Sequence, residues 1–179
     1  MVASSSDRRF RVWSAACSSG EEPYSIGILL SEQAVITKGF GWHLTATDIS
    51  TEILSHAAAG VYDLDWTHGV PEPWFRRYFQ LGKGPHAGQC RINSEIKRNI
   101  EFRNLNLFQP DYGHDLPFHV IFCRNVMIYF DPETKEALVN RLFNSLVPGG
   151  YLMIGHSESM VGAKHDFIMI QPAVFQRPE

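Results

Sequence analysis

Cysteine is scarce, with only Cys17, Cys90 and Cys123 in 179 residues. An odd number with no CxxC spacing argues against a complete disulfide framework, and the thiols are expected to be reduced. Cys17 and Cys123 read as small buried apolar residues. An excess of positive charge is also missing. The 16 Lys and Arg stand against 19 Asp and Glu, for a net charge of -3 and a pI of about 6.2. That balance gives no support for a nucleic-acid binder. No apolar run reaches the ~18 residues of a membrane span, and the opening MVASSSDRRF lacks the apolar core of a signal peptide. No membrane insertion and a cytoplasmic location are therefore expected. The eight histidines form no HExxH or comparable spacing, so no metal site is expected. GxGxxG is absent, which disfavours the pyrophosphate of a nicotinamide or flavin cofactor.

What the chain does have is concentrated in RVWSAACSSGEEPYSIGILL, residues 11–30. A β-type run over 11–16 meets a turn of small residues, then two acids, a proline and a helical pattern. Strand, small-residue turn and helix is how α/β folds build a cofactor site at the carboxyl end of a strand. Free N–H groups at the helix start favour a negative ligand group there. Pro23 suits the first helical turn, where its missing N–H costs nothing. Ile26, Leu29 and Leu30 are expected to form the apolar face. Glu21 and Glu22 would repel a diphosphate and suit a ligand bearing an amine, hydroxyls or a cation.

Further along, 42–49 (WHLTATDI) reads as a second strand closing on Asp48. Ser50 or Asp48 caps a helix over 51–59, and Gly60 stops it. An acid closing the second strand of a nucleotide-binding fold takes ribose hydroxyls, because a carboxylate accepts two hydrogen bonds from a vicinal diol. Residues 61–79 read as irregular. LGKGPHAG, 81–88, reads as a hairpin turn, and 100–107 as another strand. This insertion carries Arg76, Arg77, Lys83, Arg91, Lys97, Arg98 and Arg103 against Glu72, Glu95 and Glu101, a local basic surface in an acidic chain. A solvated face explains such charges by default; a docking surface for an acidic protein is the functional reading.

A buried-type strand over 119–126 ends in Arg124 and Asn125. Asp131-Pro132-Glu133 then starts a helix that Pro148-Gly149-Gly150 is expected to end. A strand over 151–155 and a terminal antiparallel pair over 167–170 and 173–176 complete the chain. GHSES, 155–159, has the outline of a nucleophile elbow, but its last position is Ser and only His165 follows, which disfavours a hydrolase. The polar groups at strand ends carry the signal instead: Glu22, Asp48, Asn106, and Arg124 with Asn125. In a doubly wound sheet these ends converge on one crevice.

Together, RVWSAACSSGEEPYSIG, ATDIS, RYFQLGKGPHAG, NLNLF, IFCRNVMIYFD and GGYLMIGHSES resemble the chemotaxis receptor methyltransferases, the CheR family. Such proteins use S-adenosylmethionine (SAM) to methylate glutamates on receptor signalling helices. The resemblance implies a Rossmann-like α/β fold: a seven-stranded, mostly parallel sheet with an antiparallel last strand and a small inserted antiparallel β-subdomain. It implies a short tail over 1–10 where the family carries a helical domain, and a methyltransferase domain over 11–179 with the insertion at about 77–100. By motif match, Glu22 contacts the cofactor near the first turn and Asp48 holds the ribose. Asn106 and Leu107 frame the adenine, Arg124 and Asn125 sit below the methionine portion, and Tyr129 lies near the transferable methyl group. Arg124 and Tyr129 are the expected catalytic residues; a core aromatic beside Phe130 is the plainer reading of Tyr129. S-adenosylhomocysteine (SAH) is the implied product. The implied partners are the receptor's cytoplasmic helices and a receptor C-terminal peptide tether held by the insertion. A SAM- or SAH-binding scaffold with little turnover is the alternative.

Overall fold

The computed structural model describes residues 9–114 and 116–179. Most of the expected 1–10 tail lies outside the described residues. The chain runs β1 (Phe10–Ala15), α1 (Glu21–Ile36), β2 (Trp42–Asp48), α2 (Thr51–Ala59), β3 (Val61–Asp63), α3 (Glu72–Tyr78), β4 (Phe79–Leu81), β5 (Gln89–Ile92), α4 (Ser94–Lys97) and β6 (Ile100–Asn104). Then follow β7 (Phe118–Cys123), a 3-10 turn (Met127–Tyr129), α5 (Pro132–Asn144), β8 (Leu146–Ile154), β9 (Ile168–Gln171) and β10 (Val174–Gln176).

Seven strands form the main sheet in the order β6-β2-β1-β7-β8-β10-β9. The pairs from β6 through β8 are parallel, and β10 runs against both of its neighbours. The expected Rossmann-like architecture with an antiparallel last strand is present. β1 lies inside the sheet between β2 and β7, and its Val12, Trp13, Ser14 and Ala15 are all buried. The Trp13 indole N–H donates to Thr47 Oγ1 at 2.9 Å, so the polar atom of the largest core residue is satisfied. Helices α1 and α2 cover one part of the sheet and α5 another, giving two apolar clusters.

Local chemistry sets the helix ends. Ser50 Oγ accepts from the Ile53 N–H at the start of α2, and Gly60, at φ 57°, ends that helix in the left-handed region. Asp131 accepts from the Thr134 N–H ahead of Pro132 at the start of α5. Three expectations give way. Residues 61–79 are not irregular: they hold β3, a 3-10 turn and α3, and β3 joins β5 and β4 in a separate three-stranded antiparallel sheet. Helix α5 stops at Asn144, and Pro148-Gly149-Gly150 lies inside β8, where the β7–β8 register shifts. Leu29 is 55% exposed. The buried face of α1 is Pro23, Tyr24, Ile26, Gly27 and Ile28. Gly27 hides that face from the hydrophobic pattern. A Cβ there would meet Ile96, Ile100 and Trp42 at 3.1–3.3 Å, so the close approach needs the missing side chain.

All three cysteines are buried and free. Burial, with Asp48 adding its charge, pushes the Cys17 thiol up to about 12. Burial also raises the Cys90 and Cys123 thiols. The native chain is therefore expected to resist a thiol-disulfide indicator at pH 8 and to react fully in denaturant. Rapid labelling of the folded chain contradicts this packing.

Candidate functional site

Parallel pairing brings the carboxyl ends of the central strands level. Ala15 sits opposite Thr47 and Cys123, Cys123 opposite Ile154, and Asp48 opposite Asn104. From β1 the chain builds outward through β2 to β6, then returns to the other side of β1 with β7 and β8. The switch point therefore lies between β1 and β7, where such sheets open a crevice.

A pocket of about 250 Å³ occupies that crevice, lined by Ala16, Asp48, Ile49, Leu105, Asn106, Leu107, Phe108, Asn125, Val126, Tyr129 and Phe130. Asp48, Asn106, Leu107, Asn125 and Tyr129, all expected from motif match, share this one hollow. Its backbone is strained where the strands end: Ala16, Ser18 and Asn125 have φ of 69°, 49° and 62°. Non-glycine residues in that region cost about 1–3 kcal/mol each and cluster at functional sites.

Asp48 is held by its neighbours. Oδ2 accepts from the Ser18 N–H at 2.9 Å and Oδ1 from the Ser50 N–H at 3.0 Å. A carboxylate offers about four acceptor positions. With these two filled, two remain for a vicinal diol. Asn106 accepts from the Phe108 N–H through Oδ1 at 2.9 Å, which turns its amide into a donor toward ligands. Leu105, Leu107, Phe108 and Ile49 supply apolar walls around these few polar groups, as small-molecule sites do. Tyr129 is 79% exposed and so is no core aromatic; Phe130 takes that place, packed edge-on to Phe108 at 4.8 Å.

Glu22 and Arg124 do not line the pocket. They face each other, Arg124 donating to Glu22 Oε2 at 3.0 Å, with Ser14 Oγ donating to Oε1 at 2.8 Å. The carboxylate that Arg124 meets is thus the chain's own. The pair fixes the residue preceding Asn125 to the first turn of α1. Arg124 keeps further N–H donors for a second acceptor.

One residue was missed by sequence reasoning. Glu158, inside the GHSES segment, is buried, and its carboxylate accepts four backbone N–H groups, from Gly155, Asn125, Val126 and Met127. Ser157, the nucleophile of the disfavoured hydrolase reading, is exposed. No short motif announces a carboxylate aimed at a loop 31–33 residues away. Among the described residues no cluster of His, Cys, Asp or Glu is placed to hold a metal. No helix among them is long and apolar enough to cross a membrane.

The sequence profile of the "CheR methyltransferase, SAM binding domain" family matches residues 1–175. A chemotaxis protein methyltransferase of Salmonella typhimurium is 42% identical over 166 residues, covering 93% of this chain and 57% of that protein. Chemotaxis protein methyltransferase 2 of Pseudomonas aeruginosa is 44% identical over 158 residues, covering 88% of this chain and 56% of its own. The chain thus spans little more than half the length of these relatives. Among solved structures, a putative O-methyltransferase from Nostoc punctiforme superposes with a TM-score of 0.51 at 13% identity, covering 81% of this chain and 32% of the other. A glycopeptide N-methyltransferase in complex with sinefungin superposes with a TM-score of 0.50 at 14% identity, covering 81% and 42%. At these identities the likeness is one of fold. A diol acceptor, an amide donor and apolar walls in one crevice fit a nucleoside, so the donor set agrees with the cofactor named by the family, and the chain belongs to the CheR methyltransferase family as its SAM-binding domain.

Proposed function

We propose that this domain transfers the methyl group of SAM to glutamate side-chain carboxylates of chemotaxis receptors. The observation that carries the reading is the convergence of Asp48, Asn106, Leu107, Asn125 and Tyr129 on one pocket at the switch point. When bound, SAM supplies an electrophilic methyl group on a sulfonium centre. Asp48 would accept the ribose hydroxyls, and Asn106, Leu107 and Phe108 would frame the base. Asn125 would face the amino-acid portion, with the Glu22–Arg124 pair beside it.

The substrate asks little acid–base help. A free Glu side chain has a pKa near 4.3 and is ionised at pH 7. No general base is needed, which agrees with the absence of a Ser-His-Asp arrangement from the pocket lining. The chain's task is to position that carboxylate and strip its water; ordering alone supplies about 7–11 kcal/mol in well-oriented reactions. Tyr129, an exposed residue of the pocket lining, would cover the reacting end against water when the substrate is bound. The test is methyl transfer from radiolabelled SAM to a receptor cytoplasmic fragment, run with this domain alone and with the rest of a relative's length supplied. Base-labile label on the fragment is expected. Binding of SAH with no transfer in either arrangement contradicts the proposal.

We place the receptor contact, in a cytoplasmic setting, on the inserted sheet. A cleft of about 270 Å³ there is lined by Val61, Leu81, Lys83, His86 and Arg91 among others. Arg91 and Arg98 are exposed, and the short GKGPHAG hairpin is like that of family members that bind a peptide tether. Charge reversal, Arg91→Glu with Arg98→Glu, is expected to reduce receptor pull-down several-fold and to leave SAH affinity unchanged. Undiminished pull-down removes the insertion from the interface.

A further inference from the structure

We infer that Glu158 is the positioning residue of the cofactor pocket, its buried carboxylate holding the strained wall at Asn125 and Val126; this rests on the cofactor reading above. The geometry is specific. Oε2 spans two strand ends, accepting from Gly155 N at the exit of β8, 2.6 Å, and from Asn125 N at the exit of β7, 2.9 Å. Oε1 accepts from Val126 N at 2.8 Å and Met127 N at 2.7 Å. All the acceptor capacity of an ionised carboxylate is used by amides. With no cation among these partners, the charge is balanced by backbone dipoles, as in an anion nest.

The cradled segment is the one the pocket needs. Asn125 and Val126 line the pocket, and Met127 opens the 3-10 turn that carries Tyr129 to its mouth. Asn125 stands at φ 62°, a conformation that persists only where surrounding bonds over-determine it. Glu158 supplies those bonds to Asn125 and to the two residues after it. Gly155 is a second, independent mark of the same arrangement. A Cβ there would stand 2.8 Å from Glu158 Oε2 and 3.3 Å from Asn125 N, so the chain carries no side chain where the carboxylate passes between strands.

Glu158→Gln keeps the size but turns one acceptor into an NH₂ that faces amide donors. In the full chain, calorimetry with SAH is expected to show affinity at least ~30-fold weaker. Hydrogen exchange is expected to show Asn125, Val126 and Met127 losing protection while β1 and β2 keep theirs. Gly155→Ala, which presses on the carboxylate from outside, is expected to move both readouts the same way. Ser157→Ala, next to Glu158 and exposed, is expected to change neither. A Glu158→Gln chain that binds SAH like the parent overturns the inference. So does one whose protection falls equally in β1 and β2, since Glu158 would then serve the fold and not the pocket. A parent chain that takes up no SAH defeats the cofactor reading alone, and the exchange pattern still decides whether Glu158 holds the loop.

Discussion

Asp48→Ala is expected to weaken SAH binding by roughly 5- to 150-fold, or about 1–3 kcal/mol. Two losses act together. The free acceptor positions of the carboxylate disappear, leaving a ribose diol unpaired inside a largely apolar hollow. The Ser18 and Ser50 amides also lose their shared anchor, which joins the turn after β1 to the start of α2. Asp48→Asn separates the two. Its remaining oxygen serves one amide, but its NH₂ is a donor where the diol needs an acceptor, so affinity falls although the chain stays folded. Calorimetry on both variants, with thermal melts alongside, reads the difference. Equal affinity in Asp48→Ala removes this residue from the site.

Gly20→Ala is expected to be the most damaging single-methyl change near the site. Gly20 has φ 98°, and a Cβ there would lie 2.8 Å from Tyr62 Oη and 3.0 and 3.1 Å from Ala57 Cβ and Cα. Neither neighbour yields easily. Tyr62 Oη donates to the Ser19 carbonyl at 2.7 Å, and Ala57 is fully buried in α2. Left-handed strain and overpacking together cost about 2–4 kcal/mol, which lowers Tm by roughly 5–15 °C in a domain of this size. Gly39→Ala is the control. Gly39 has φ 80°, but nothing lies within 4 Å of its Cβ position. It carries the strain without the collision, so its Tm is expected to fall less. Equal melting of the two variants contradicts the packing assigned to the turn.

The legible features were those that local chemistry writes into adjacent residues. Ser50 and Gly60 bracket α2 as their side-chain and backbone preferences require, and Asp131-Pro132 starts α5 for the same reason. Strand ends in a parallel sheet must converge, so Asp48, Asn106 and Asn125 could be placed together before any coordinates. What escaped depends on partners distant in sequence. The α1 face runs through Gly27, whose lack of a side chain is itself the packing feature. Helix α3 and strand β3 are short and gain their stability from the inserted sheet, so neither leaves a long periodic signal. Arg124 and Glu22 were each matched to the cofactor separately, and their pairing across the first turn shows only in the fold. Glu158 drew no reading of its own within GHSES because three of its amide partners lie across the gap between β7 and β8.

A crystal structure of this chain soaked with S-adenosylhomocysteine tests the central claim most directly. Density for the nucleoside is expected in the hollow between Asp48 and Asn106, with the ribose on Asp48, the base against Leu107 and Phe108, and the amino-acid end toward Asn125. Density in the inserted sheet's cleft near Arg91 instead, or an empty switch-point hollow at saturating ligand, would contradict it.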